Sequence, residues 1–300
     1  MNETRIVRLH YLLRAGILLA LAGLLARWSS RSELQLYVTP ETAGWVKLCP
    51  IPIAAMAAVL TYQALFGRPE LLCDCERPLP RSPLRIGSAY ALFLLPLLFG
   101  LLLPNQALGS TAAAQKGMAF VSAPAAESRE REDSRFAASP YLQEFTDLAQ
   151  RLQQEQIIPI YPSLFSETLG AIDLYKSEFA GREVRVTGFL YPGDAADPEG
   201  RFAVGRFLVQ CCTADAAPLG ILVKPPTPNS LPADTWIQVQ GKLEIAGYQG
   251  AETVQIAAER ITVVPEPSEP YVYTSPDSVE EWDRLRQEAR AANSKQPPGL

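Results

Sequence analysis

Histidine is almost missing from this chain. His10 is the only one in 300 residues, so a metal site formed within one chain must be built from thiolates or carboxylates. Cysteine is scarce too, with five: Cys49, Cys73, Cys75, Cys211 and Cys212. An odd, sparse set does not make a disulfide framework. No two of them have the CxxC spacing that opens a helix in thiol oxidoreductases, which weighs against redox catalysis. Basic residues are outnumbered, 27 Lys and Arg against 32 Asp and Glu, for a net charge of −5. Without clustered Lys and Arg the chain lacks the means to bind nucleic-acid phosphates, and no nucleic-acid partner is expected.

Apolar residues are plentiful at 48%, and they crowd into the first third. Three runs, 9–28, 45–66 and 86–103, each approach the roughly 20 residues needed to cross a bilayer. Arg14 interrupts the first, Pro50 and Pro52 open the second, and Pro96 lies inside the third. A cleavable signal peptide is a poorer reading of the first run, because Arg27 and Trp28 occupy the place of the small residues a signal peptidase requires. Arg5 and Arg8 precede the first span, and Arg68, Arg77, Arg81 and Arg85 fall between the second and third. No Lys or Arg follows the third span until Lys116. The positive-inside rule then places the N-terminus in the cytoplasm of a cell with an inner membrane, and the C-terminal two thirds outside it. His10 and Arg14 are one helical turn apart and share a face near the cytoplasmic boundary, where Arg14 can snorkel.

The second loop carries Cys73-Asp74-Cys75-Glu76, a set of soft and hard donors that can grip a metal ion, although zinc usually takes CxxC. Residues 105–140 read as a linker. Their charged run Glu127–Arg135 has too little apolar content to fold alone. Residues 141–180 are helical in pattern: Tyr141, Leu142, Phe145, Leu148 and Leu152 recur at helical spacing, and a second helix is expected over Ser163–Phe179, stopped by Gly181.

From Glu183 the period becomes two. Five strands are expected within 181–265: Glu183–Leu190, Arg201–Cys212, Pro218–Lys224, Thr235–Ile245 and Glu252–Val264. Gly188 and Gly241 fall in mid-strand, where glycine permits the sharp coiling of a small barrel. The expected fold class is thus an α-helical membrane domain of three helices (1–104) followed by an all-β, OB-like five-stranded barrel with flanking helices. Acidic side chains outnumber basic ones in this region, so the oligonucleotide binding common among such barrels is not expected. The tail, 266–300, begins proline-rich and can form a polar helix over Val279–Ala292 that docks through Trp282 and Leu285.

Cys211 and Cys212 stand at the end of the second of these strands, and Asp215 follows in the turn. Three readings stay open: a structural turn with buried thiols or a vicinal disulfide, a metal or ligand site, and redox chemistry. In the ligand-site reading Cys211, Cys212 and Asp215 form the site, and Arg206, a few residues before them, lowers a thiol pKa.

The segments GFLYPG (188–193), RFLVQCCTADAAPLGILV (206–223), DTWIQVQGKLE (234–244) and AERITVVPEPSEPYVY (258–273) resemble the YcgQ-like family of predicted permease subunits. These are membrane proteins whose C-terminal part is a domain of unknown function. The likeness covers 1–103 in layout and 157–273 in motif. It implies an accessory subunit of a two-component permease whose partner is a separate multi-helix permease of the YraQ-like type. It also implies metal handling, since relatives carry a Cys- and His-rich second loop. Here that loop keeps Cys73 and Cys75 but has no histidine. The expectation is a non-enzymatic permease subunit that captures a small solute or metal ion, with a thiol redox protein and a structural scaffold as alternatives.

Overall fold

A computed structural model describes residues 3–31, 33–66, 83–120, 140–194, 197–228 and 230–295. Cys73 and Cys75, and the charged run Glu127–Arg135, lie outside the described residues. The chain divides into two compact units, Met1–Gln106 and Ala107–Leu300.

The first unit is helical. Its elements are α1 (Glu3–Ser30), α2 (Pro40–Val46), α3 (Pro50–Phe66) and α4 (Pro83–Leu102). Proline opens the last three, where its missing N–H costs nothing. Thr39 caps α2 by accepting the Thr42 N–H. Three stretches are long and apolar enough to cross a membrane: Val7–Ser30, Pro40–Phe66 and Leu84–Leu102. They match the expected runs to within a few residues, except that α2 extends the second run toward its N-terminus. α1 packs against α3 and α4. Buried positions on α1 and α3 include Ala15, Ala22, Ala57 and Ala64, small residues that let membrane helices approach closely. Leu92, Phe93, Phe99 and Leu102 are exposed on α4, a face suited to hydrocarbon and not to water. His10 Nδ1 lies 2.8 Å from the Tyr90 hydroxyl on α4. Arg14 sits over the Tyr11 ring at 5.9 Å.

The second unit holds a mixed seven-stranded sheet with helices against it. In chain order come α5 (Ser110–Lys116), β1 (Ala119–Phe120), α6 (Pro140–Gln153), β2 (Ile157–Pro159), α7 (Phe165–Leu174), α8 (Lys176–Phe179), β3 (Glu183–Tyr191), β4 (Phe202–Leu208), β5 (Ala217–Lys224), β6 (Trp236–Tyr248), β7 (Ala251–Val263) and α9 (Ser278–Lys295). β4 runs antiparallel to β3 and β5, and β6 antiparallel to β3 and β7. β7 pairs in parallel with β5, Val223 opposite Ile256. The five expected strands are present, but the second ends at Leu208, so Cys211 and Cys212 lie in the turn that follows it; β1 and β2 are additions, pairing in parallel with β5 and β3. α5 and β1 fall inside the expected linker. The expected helix over 163–179 is divided at Tyr175, whose backbone (φ −117°, ψ 36°) leaves the helical region.

Two glycines answer to close approach. A Cβ at Gly188 would lie 2.4 Å from the Gly205 carbonyl oxygen, and one at Gly241 2.1 Å from that of Ala257. The β6–β7 register shifts between Gln240 and Gly241, as expected where an extra residue bends a strand.

The main core joins the sheet to the helices. Leu148 and Leu152 of α6, Phe165, Leu169 and Ile172 of α7, and Trp282 of α9 pack with Val184, Val186, Val204, Ile237, Val239 and Ile256. α9 docks through Trp282, with Leu285 at the margin of the core, and it packs mainly on α6 and the Pro162–Leu164 turn, not on the sheet strands. A second, smaller cluster contains Ala113 of α5 with Phe189, Phe207, Val209, Ala216 and Tyr271. Phe189 and Phe207 stack at 5.5 Å, and Tyr271 meets Phe207 edge-on. This cluster lies under the turn that joins β4 to β5.

Candidate functional site

The turn 209–216 is built around one carboxylate. Asp215 Oδ1 accepts the Gln210 N–H at 3.0 Å, and Oδ2 accepts those of Cys211 and Cys212 at 2.8 and 3.3 Å. The Asp215 N–H returns to the Cys212 carbonyl at 3.1 Å. Such side-chain-to-backbone bonding is what aspartate does at turns. A hydrogen bond from the Cys211 thiol, followed by the backbone N–H groups of Gln210, Cys211 and Cys212, holds the Asp215 carboxyl far down, at about 2.

The two thiols stand on the rim of this turn. Cys211 is exposed, Cys212 partly so, and both are free. Their sulfurs are 3.6 Å apart, the Cys211 thiol donating to the Cys212 sulfur, with no disulfide between them. The Asp215 carboxylate, followed by the Cys212 thiol, pushes the Cys211 thiol up to about 12. A cysteine acts as a nucleophile or as a metal ligand in its thiolate form, so either role at Cys211 requires that this proton be displaced. One ligand atom from each of Cys211, Cys212 and Asp215 can be taken so that all lie within 4.8 Å of one another. Three of the four expected site residues are therefore brought together.

Arg206 is placed differently. It is 2% exposed. Its Nε donates to the Thr187 carbonyl at 2.9 Å, and its guanidinium lies over Trp236 at 5.1 Å. Burial pulls its pKa down to about 10. This is a group occupied with packing, and the Cys211 pKa moves opposite to the expected tuning.

Lys116, at the end of α5, was not foreseen. Its ammonium donates to the carbonyls of Ala216 at 2.7 Å, Ala214 at 3.0 Å and Thr213 at 3.4 Å. The turn is thus held from both sides: Asp215 gathers its N–H groups and Lys116 its carbonyls. At the other end of α5, Asp234 accepts from the Ser110 N–H and hydroxyl, which satisfies donors the helix leaves unpaired. From the tail, Val272 brackets the end of β4. Its N–H donates to Phe207 and its carbonyl accepts from Val209, both at 2.9 Å. The Tyr271 hydroxyl accepts the Leu108 N–H at 3.0 Å. The only cue to Lys116 in the sequence is a lysine at the end of a short alanine-rich segment.

Helices of spanning length in one unit and a sheet carrying a polar turn in the other define a membrane protein with a substantial non-membrane part. The chain belongs to the DUF1980 family: its residues 13–119 match the DUF1980 N-terminal domain and 135–274 the DUF1980 C-terminal domain. It is 27% identical over 194 residues to the UPF0703 protein YcgQ of Bacillus subtilis (strain 168), covering 61% of this chain and 67% of that protein. A Streptococcus mutans protein named "Putative two-component membrane permease complex subunit" is 27% identical over 196 residues, covering 60% of this chain and 70% of that protein.

Proposed function

We propose that this chain is an accessory subunit of a two-component membrane permease, and that the turn 209–216 is its site for a small solute or metal ion. The observation that supports the permease role is the likeness to the S. mutans protein so named, which extends over 70% of that protein. The partner is a separate multi-helix permease of the YraQ-like type. The exposed apolar side chains of α4 supply a surface for it within the membrane. The second unit is an OB-like barrel. The reading is supported by the parallel pairing of β7 with β5, which links the two ends of the β5-β4-β3-β6-β7 series, and by glycines at its tightest approaches. This unit lies outside the cytoplasm in this reading, which is supported by the arginines flanking the spans. In such a subunit Cys211, Cys212 and Asp215 hold the ligand, while Arg206 supports the sheet beside them. The pair Cys73 and Cys75 offers a second metal site on the cytoplasmic side. Affinity purification from membranes in mild detergent tests the role. It should recover a polytopic membrane protein in fixed proportion to the chain, and recovery of the chain alone would refute it.

A further inference from the structure

The geometry points to a tetrahedral divalent cation of the zinc class at Cys211, Cys212 and Asp215, held by three protein ligands with the fourth position open. This deepens, and rests on, the reading of this turn as the ligand site.

Three observations select the ion. First, the sulfurs are 3.6 Å apart. With metal–sulfur bonds of about 2.3 Å, that separation subtends an S–metal–S angle of about 103°, close to tetrahedral. A linear two-thiolate site would need the sulfurs about 4.6 Å apart at the same bond length, so the arrangement disfavours two-coordinate monovalent ions. Second, Asp215 already accepts three N–H bonds, one at Oδ1 and two at Oδ2. A carboxylate has about four lone-pair sites; the fourth is taken by the Cys211 thiol and comes free for a metal when that thiol gives up its proton. A site with a single oxygen donor is unsuited to calcium or magnesium, which require several. Third, among the described residues no other His, Cys, Asp or Glu joins this group, and Cys211 is exposed. Structural zinc sites are closed by four protein ligands, whereas sites that exchange a ligand keep a position for water or an incoming group. Closing the set draws the carboxylate oxygen toward the two sulfurs from separations of up to 4.8 Å. Two sulfur–metal bonds form, and the two thiol protons leave to solvent. Lys116 takes no part in coordination, but it fixes the carbonyls of Thr213, Ala214 and Ala216, and through them the turn that presents the ligands.

The test is a cobalt(II) titration of the reduced full-length chain in detergent, followed by zinc(II) displacement. Co2+ bound at this site should give the intense visible bands of tetrahedral cobalt and a thiolate-to-cobalt charge-transfer band, and zinc should bleach both. Cys211→Ser and Cys212→Ser should each abolish the charge-transfer spectrum or weaken binding at least about 10-fold. The double variant Cys73→Ser, Cys75→Ser should leave the spectrum intact. Lys116→Met should keep the spectrum and weaken binding by about 10-fold, as loss of an outer-shell partner does. Octahedral cobalt without a thiolate band overturns the proposal, as does a spectrum lost with Cys73 and Cys75 but kept without Cys211 and Cys212. The permease reading is scored separately, by partner recovery from the metal-free chain. Recovery of the partner without tetrahedral cobalt refutes this inference alone.

Discussion

Phe207→Ala tests whether the second aromatic cluster is what positions the cysteine turn. Phe207 is 1% exposed, stacks on Phe189 at 5.5 Å with an interplanar angle of 14°, and receives the edge of Tyr271 at 6.5 Å. Truncating a buried phenylalanine costs about 3–5 kcal/mol in lost transfer energy and residual cavity. Of this, about 0.5–1.5 kcal/mol belongs to each aromatic pair. The cost falls on the neighbours in the cluster: Ala113 of α5, Val209 and Ala216 of the turn, and Tyr271 of the tail. Hydrogen–deuterium exchange reads this directly. A loss of 3–5 kcal/mol, at tenfold per 1.4 kcal/mol, speeds exchange through local opening by about two to four powers of ten. The acceleration should appear in 107–120, 209–216 and 271–273. α7, whose core contacts are in the other cluster, should change far less. Acceleration below about tenfold in those segments, or an equal effect in α7, would refute the idea that this cluster holds the turn.

Other outcomes follow from single residues. Asp215→Asn removes the charge that raises the Cys211 thiol, so the pH midpoint for alkylation of Cys211 should fall from about 12 toward the ordinary thiol range; an unmoved midpoint would assign the shift elsewhere. Because the Asp215 pKa is depressed, its hold on the turn is complete above the unfolded value near 3.8 and is lost as pH falls through about 2. Exchange of the Gln210, Cys211 and Cys212 amides, corrected for intrinsic pH dependence, should rise only in that acid window. Arg206→Met strands the Thr187 carbonyl and should cost about 1–3 kcal/mol in denaturant unfolding, while the Cys211 alkylation profile stays put; a shift in that profile would return Arg206 to the site. Gly241→Ala forces a methyl to within 2.1 Å of the Ala257 oxygen and should destabilise by about 1–3 kcal/mol, as overpacking does. A neutral Gly241→Ala would mean that the β6–β7 irregularity is not set by this contact.

The elements that hydrophobic pattern alone decides were legible in the sequence. The spanning helices announce themselves by long apolar runs. The five main strands do so by alternation, with β6 and β7 starting within a residue of the expected positions. The position of Asp215 in the turn after the cysteines was legible too, and aspartate at such a place bonds locally. What was hidden depends on residues far apart in the chain. α5 is seven residues long, too short to stand alone. It forms because Asp234, across 124 positions of sequence, caps it, and because Ala113 is buried against Phe207 and Tyr271. Nothing local in STAAAQK signals that. Arg206 misled for a related reason. A charge five residues from a cysteine reads as an electrostatic neighbour, yet Trp236 and the Thr187 carbonyl, both brought in by other strands, take up the guanidinium.

The central claim is that a membrane-anchored subunit presents a twin-thiol turn outside the cytoplasm. Labelling intact cells with a membrane-impermeant maleimide tests it most directly, in a Cys49→Ser, Cys73→Ser, Cys75→Ser background that leaves only Cys211 and Cys212. The account predicts modification without permeabilising the inner membrane, abolished when both remaining cysteines are replaced. Modification that appears only after that membrane is opened would contradict it.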